Sequence, residues 1–121
     1  MPGPGSATYI VAAAATNNVP STTSQTNGGF TAGSLPTPTI DSLGTLNGQY
    51  FLLTAQINQT QNGIWYNDPN GGPVPIMTVG AGGAPLDPAV VVQVTGGAQN
   101  NNTTWVYAAV SHNGGPGFAL L

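Results

Sequence analysis

Ala89-Val90-Val91-Val92-Gln93-Val94, then a polar stretch from Thr95 to Asn102, then Thr103-Thr104-Trp105-Val106-Tyr107-Ala108, decide the fold of this chain. Valine is branched at Cβ and stiff at χ1, so four valines in the five positions 90–94 suit a pleated strand better than a helix. Gly96-Gly97 and Asn100-Asn101-Asn102 are turn-forming residues. The reading is two strands joined by a polar turn. The valine run is the strongest strand in the chain and is expected at the centre of a sheet.

The same reading extends outward. Downstream, Asn113–Gly117 is a turn and Phe118–Leu121 a closing strand. Upstream, Gln49-Tyr50-Phe51-Leu52-Leu53-Thr54 is a strand. Asn62-Gly63 is a hairpin-type turn signal, followed by Ile64-Trp65-Tyr66 as strand material. Asp68-Pro69-Asn70-Gly71-Gly72-Pro73 is a dense turn cluster. Val74–Val79 is a short strand that Pro75 assigns to an edge, because proline cannot donate to a ladder. Gly80–Pro88 is loop. No helical period is sustained, and turn signals recur at short intervals. The expected fold is all-β, a small β-sandwich or barrel with an extended N-terminal arm.

Two parts are expected along the chain, an arm of low complexity at 1–38 and the β body at 39–121. The arm is rich in Pro, Gly, Ser, Thr and Asn. Within it, Tyr9-Ile10-Val11 and Ala12–Ala15 read as extended rather than helical, bounded by Pro4, Asn17-Asn18 and Pro20. Leu35-Pro36-Thr37-Pro38 is a stiff lead-in, since each proline fixes its own φ and biases its predecessor. Tyr9, Ile10 and Val11 have no core of their own in the arm. Either they add a strand to a neighbouring subunit or they fold back on their own body. On this division a chain lacking residues 1–30 keeps a folded body.

Charge excludes more functions than any motif adds. The 121 residues contain no Lys and no Arg, three acids (Asp41, Asp68, Asp87) and one histidine, His112. Charged residues are 2% of the chain, against about a quarter in an ordinary soluble domain. Without cations a protein cannot neutralise phosphates, so nucleic acid is not an expected partner. Nor is there a basic patch for an anionic membrane or a clamp for an anionic substrate. What remains is backbone amides, hydroxyls, carboxamides and apolar area, which suit packing against another protein. There is no cysteine, hence no disulfide and no thiolate metal site. No apolar run approaches the roughly 20 residues of a membrane-spanning helix. Met1-Pro2-Gly3-Pro4-Gly5 lacks a basic leader region, so the start reads as mature protein.

Two stretches resemble a small β-module of tailed-bacteriophage virion structural proteins. The first is Thr39-Ile40-Asp41-Ser42-Leu43-Gly44-Thr45-Leu46-Asn47-Gly48-Gln49-Tyr50-Phe51-Leu52-Leu53-Thr54, with Gln56 and then Asn62-Gly63-Ile64-Trp65. The second is Val90-Val91-Val92-Gln93-Val94-Thr95-Gly96-Gly97 with Asn102-Thr103-Thr104-Trp105-Val106. The resemblance covers about residues 39–121. It departs from the family where Gly48-Gln49-Tyr50 replaces Gly-Asp-Arg and where Thr54 replaces a lysine. It implies a role in virion structure, beside capsid or tail fibre, and carries over no catalytic residue.

Candidate chemistry is thin. Gly63 is expected at positive φ in the turn that reverses the chain. Trp65 and Trp105 are expected as core anchors, or else as interface anchors. His112 stands beside Ser111, but nothing like a nucleophile elbow surrounds them, so His112 reads as a structural or solvated loop residue. Asp68-Pro69-Asn70-Gly71 is better explained as an Asx-type turn than as half a calcium loop. No catalytic, cofactor or metal site is expected, and the chain is not expected to be an enzyme. The expectation is a capsid decoration (cement) protein on the outer surface of the virion. It would dock on the major capsid protein and exchange arms with copies of itself, as a trimer. A tail-fibre or spike module binding host-surface glycans is the alternative.

Overall fold

The structure, a computed structural model, describes residues 8–16, 40–42, 48–56, 59–68, 72–86, 90–108 and 117–120. The strands are β1 (Thr8–Val11), β2 (Ala13–Ala15), β3 (Tyr50–Leu53), β4 (Gly63–Asp68), β5 (Gly72–Thr78), β6 (Ala84–Pro85), β7 (Val91–Val94), β8 (Thr104–Ala108) and β9 (Gly117–Leu120). They form two sheets, ordered β1-β7-β8-β9 and β2-β3-β4-β5-β6. The fold is a small all-β sandwich. The valine strand β7 lies inside its sheet, between β1 and β8, as its sequence implies.

The run 8–15 joins the two sheets. β1 pairs in parallel with β7, and β2 pairs in parallel with β3. The change of sheet falls at Ala12, whose N–H donates to the Tyr50 carbonyl at 2.8 Å. Val11, Ala13, Ala14 and Ala15 are buried. Of the two placements open for Tyr9, Ile10 and Val11, the fold-back onto the same chain is the one in this structure. Residues 8–16 therefore belong with the body rather than with a separate arm ending at 38. The small side chains of Ala13, Ala14 and Ala15 pack on both faces of β2, where each is buried.

Two apolar layers flank the five-stranded sheet. Leu52 and Ile64 are cross-strand partners that face the other sheet, where they meet Val11, Ala14, Val90, Val92, Val94, Trp105 and Phe118. Phe51 and Trp65, the neighbouring pair, face away and pack with Ala13, Ala15, Leu53 and Ile40. Burial on both faces explains why Phe51-Leu52-Leu53 is continuously apolar. β7, in contrast, is buried on one face and exposes Gln93. Trp65 and Trp105 are both core residues. Their indole N–H groups donate to the Gln61 carbonyl at 2.9 Å and to Thr103 Oγ1 at 3.0 Å.

Gly63 has positive φ, at +149°, but it is not in a turn. It opens β4, opposite Leu53 of β3 and Thr78 of β5. A Cβ there would strike the Met77 carbonyl oxygen and lie 2.7 Å from Thr78 Cα. The reversal between β3 and β4 is made earlier, by a connection containing the 3-10 turn Gln59–Gln61. There Asn62 Oδ1 accepts the Gln56 N–H at 2.8 Å, and Gln56 Nε2 donates to Gln61 Oε1 at 3.1 Å. Asn-Gly thus marks a close backbone approach here, not a two-residue hairpin. The Val74–Val79 expectation fares better. β5 carries Pro73 and Pro75, pairs along its length with β4, and on its other side meets only the two-residue β6.

Asp41 starts a turn, with φ +48°, and also holds the β7–β8 connection. Its carboxylate accepts the N–H groups of Gln99 at 3.0 Å and Asn100 at 2.7 Å, and its carbonyl accepts Ala98 N–H at 3.0 Å.

Candidate docking face

Among the described residues, the inner face of the five-stranded sheet includes exposed apolar side chains. Tyr50 is paired with Tyr66, and Tyr66 with Val74. Direct cross-strand partners project to the same side. By alternation along β3 and β4 this is the side of Leu52 and Ile64. The row Tyr50–Tyr66–Val74 therefore continues the inter-sheet core, but at an end that the other sheet leaves open. Tyr50 is 44% exposed, Val74 39% and Ile76 37%. β1 adds Ile10, which is 63% exposed. Tyr9, Ile10, Tyr50, Ile64 and Ile76 line a cleft of about 170 Å³. The Tyr50 and Tyr66 rings lie 5.1 Å apart, tilted by 54°.

The bulge between β4 and β5 helps to build this face. The register moves from Ile64↔Met77 to Trp65↔Pro75, which leaves Ile76 as the extra residue. A bulge turns a side chain out of strict alternation, and here it brings Ile76 to the cleft. The face is almost free of charge. Among the described residues only Asp41 and Asp68 are ionisable acids, and Asp68 stands on this side at the end of β4. Tyr50, Val74, Ile76 and Ile10 are thus exposed apolar side chains gathered at one end of the sandwich. Leu120, the other exposed large apolar residue among those described, lies at the far edge of the four-stranded sheet.

The sequence-derived candidates divide accordingly. Tyr9 and Ile10 line the cleft, while Val11 is buried core. Trp65 and Trp105 are internal and Gly63 is a packing residue. Tyr50, Val74 and Ile76 were not singled out by sequence. Their chemistry is that of core residues, and only the uncovered end of the sheet makes them surface. His112, Ser111, Asp87 and Pro69–Gly71 lie outside the described residues. Among the described residues no group of three or more His, Cys, Asp or Glu side chains comes together. No helix there is long and apolar enough to cross a membrane. Comparison of the chain with protein-family models, with curated proteins and with solved structures gave no match.

Proposed function

We propose that this chain is a docking subunit of a protein shell, and specifically a capsid decoration (cement) protein of a tailed bacteriophage. The observation that supports it is the exposed Ile10–Tyr50–Val74–Ile76 face on a chain without Lys or Arg. Such a face has little to offer nucleic acid or an anionic membrane. It can bury apolar area against the major capsid protein or against copies of itself, three of them around a three-fold position. Stabilisation then follows from mass action, because each bound copy favours the assembled shell over its separated parts.

The alternative, a tail-fibre or spike module that binds host-surface glycans, draws support from the tilted Tyr50–Tyr66 pair beside the cleft. Exposed aromatic faces can stack on sugar rings.

The test is cryo-electron microscopy of the particle with copy number by mass spectrometry. Chymotrypsin is the protease to use, since trypsin has no Lys or Arg to cut after. Hundreds of copies on the icosahedral shell support decoration. A few copies at the tail favour glycan recognition, and absence from the particle overturns both readings.

A further inference from the structure

The seat of the strand 8–15 is built to hold main chain. Three side chains grip its carbonyls, two from the β7–β8 connection and one from the residue that follows β3. Thr95 Oγ1 donates to the Val11 carbonyl at 3.2 Å, Asn100 Nδ2 to the Ala14 carbonyl at 3.0 Å, and Thr54 Oγ1 to the Ala15 carbonyl at 2.8 Å. Backbone bonds from Thr95 to Val11 and from Thr54 to Ala15 lie beside them. On either side the seat is a strand edge, β7 along β1 and β3 along β2. Both pairings are parallel, so no tight hairpin ties the strand to either neighbour. Segment 17–39 separates it from Ile40, and at full stretch such a segment reaches roughly 75 Å, farther than a small domain is wide.

We infer that this seat is an acceptor groove for the strand 8–15 of a second copy of the chain, so that neighbouring subunits exchange strands. The occupant is specified by size. Ala14 is buried in the inter-sheet core, while Ala13 and Ala15 are buried on the opposite face, so three consecutive positions admit only small side chains. Ala12–Ala15 is the one run of four alanines in the sequence. Exchange replaces each contact by the same contact from another copy, and it becomes favoured where copies are crowded. In that respect it rests on the assembly reading above, although its test needs no shell.

The register supplies the test. Ile10 and Gln93 are Cα partners, and both side chains are exposed. Full-length Ile10→Cys and full-length Gln93→Cys chains are mixed, unfolded together, refolded at high concentration and oxidised. Mixing Ile10→Cys with Gln99→Cys, whose site is also exposed but is no partner of Ile10, measures random coupling. The natural chain has no cysteine to interfere. Exchange predicts a mixed covalent dimer well above that control, on a non-reducing gel. The pair Thr8→Cys with Val91→Cys repeats the test one turn of the ladder away. The Ile10→Cys/Gln93→Cys double variant, which closes internally in an unexchanged monomer, verifies folding and register. No mixed dimer at either pair overturns the inference. Shell occupancy, measured separately, bears on the docking proposal alone.

Discussion

Gly63 and Asn67 show how much a single position in β4 decides. At Gly63 any side chain meets the backbone of Met77 and Thr78, and the φ of +149° is one that L residues rarely adopt. Gly63→Ala is expected to destabilise the fold by about 3 kcal/mol or more, since a strained φ and a backbone collision act together. Chemical denaturation checks this, and a change below about 1 kcal/mol would show that β5 moves aside at little cost. Asn67 is the opposite case. It is fully buried, yet neither its amide nitrogen nor its oxygen makes a hydrogen bond. A buried polar group without a partner costs about 1–3 kcal/mol of desolvation. Asn67→Leu, of similar shape, is expected to raise the denaturation midpoint. A lowered midpoint would mean that an internal water or an unseen partner satisfies the amide.

At the scale of elements, the joining strand decides whether the body holds together. Without β1 and β2 the sheets lose parallel partners on β7 and β3, and both apolar layers lose buried members. A chain lacking residues 1–30 is therefore expected not to fold, contrary to the two-part division at residue 38. A truncated chain that melts cooperatively would refute this. Two features of the structure were not legible in the sequence. Alanines have little hydrophobic amplitude, so nothing in Ala12–Ala15 announced that this extended run is buried between two sheets. Asn-Gly likewise serves a tight turn or a close approach, and only the position of β5 distinguishes them. β7 and the tryptophan strands β4 and β8 were legible because branched and aromatic side chains between turn residues leave few alternatives. The closing strand was legible for the same reason, and the edge position of β5 because proline cannot donate to a ladder. The docking face was not, because its exposure depends on how far one sheet extends beyond the other, and no local pattern encodes that.

The sequence is almost without charged side chains and the described residues present an apolar face, which makes its binding testable through salt. Contacts between charged surfaces weaken as ionic strength rises, because screening shortens their range to about 10 Å at 0.1 M salt. A face built from Ile10, Tyr50, Val74 and Ile76, on a chain without cations, has almost no field to screen. On the proposed decoration reading, occupancy of shells is therefore expected to stay constant, or to rise slightly, between low and high salt. Tyr50→Ser combined with Ile76→Thr is expected to reduce occupancy at every salt concentration. The melting temperature should change little, because both side chains are already substantially exposed. The two readouts separate the causes. Occupancy that falls steeply with salt would place the contact elsewhere, on the few acids and a basic partner. Normal occupancy by the double variant would show that the Tyr50–Ile76 face is not what touches the shell, even if the protein decorates it.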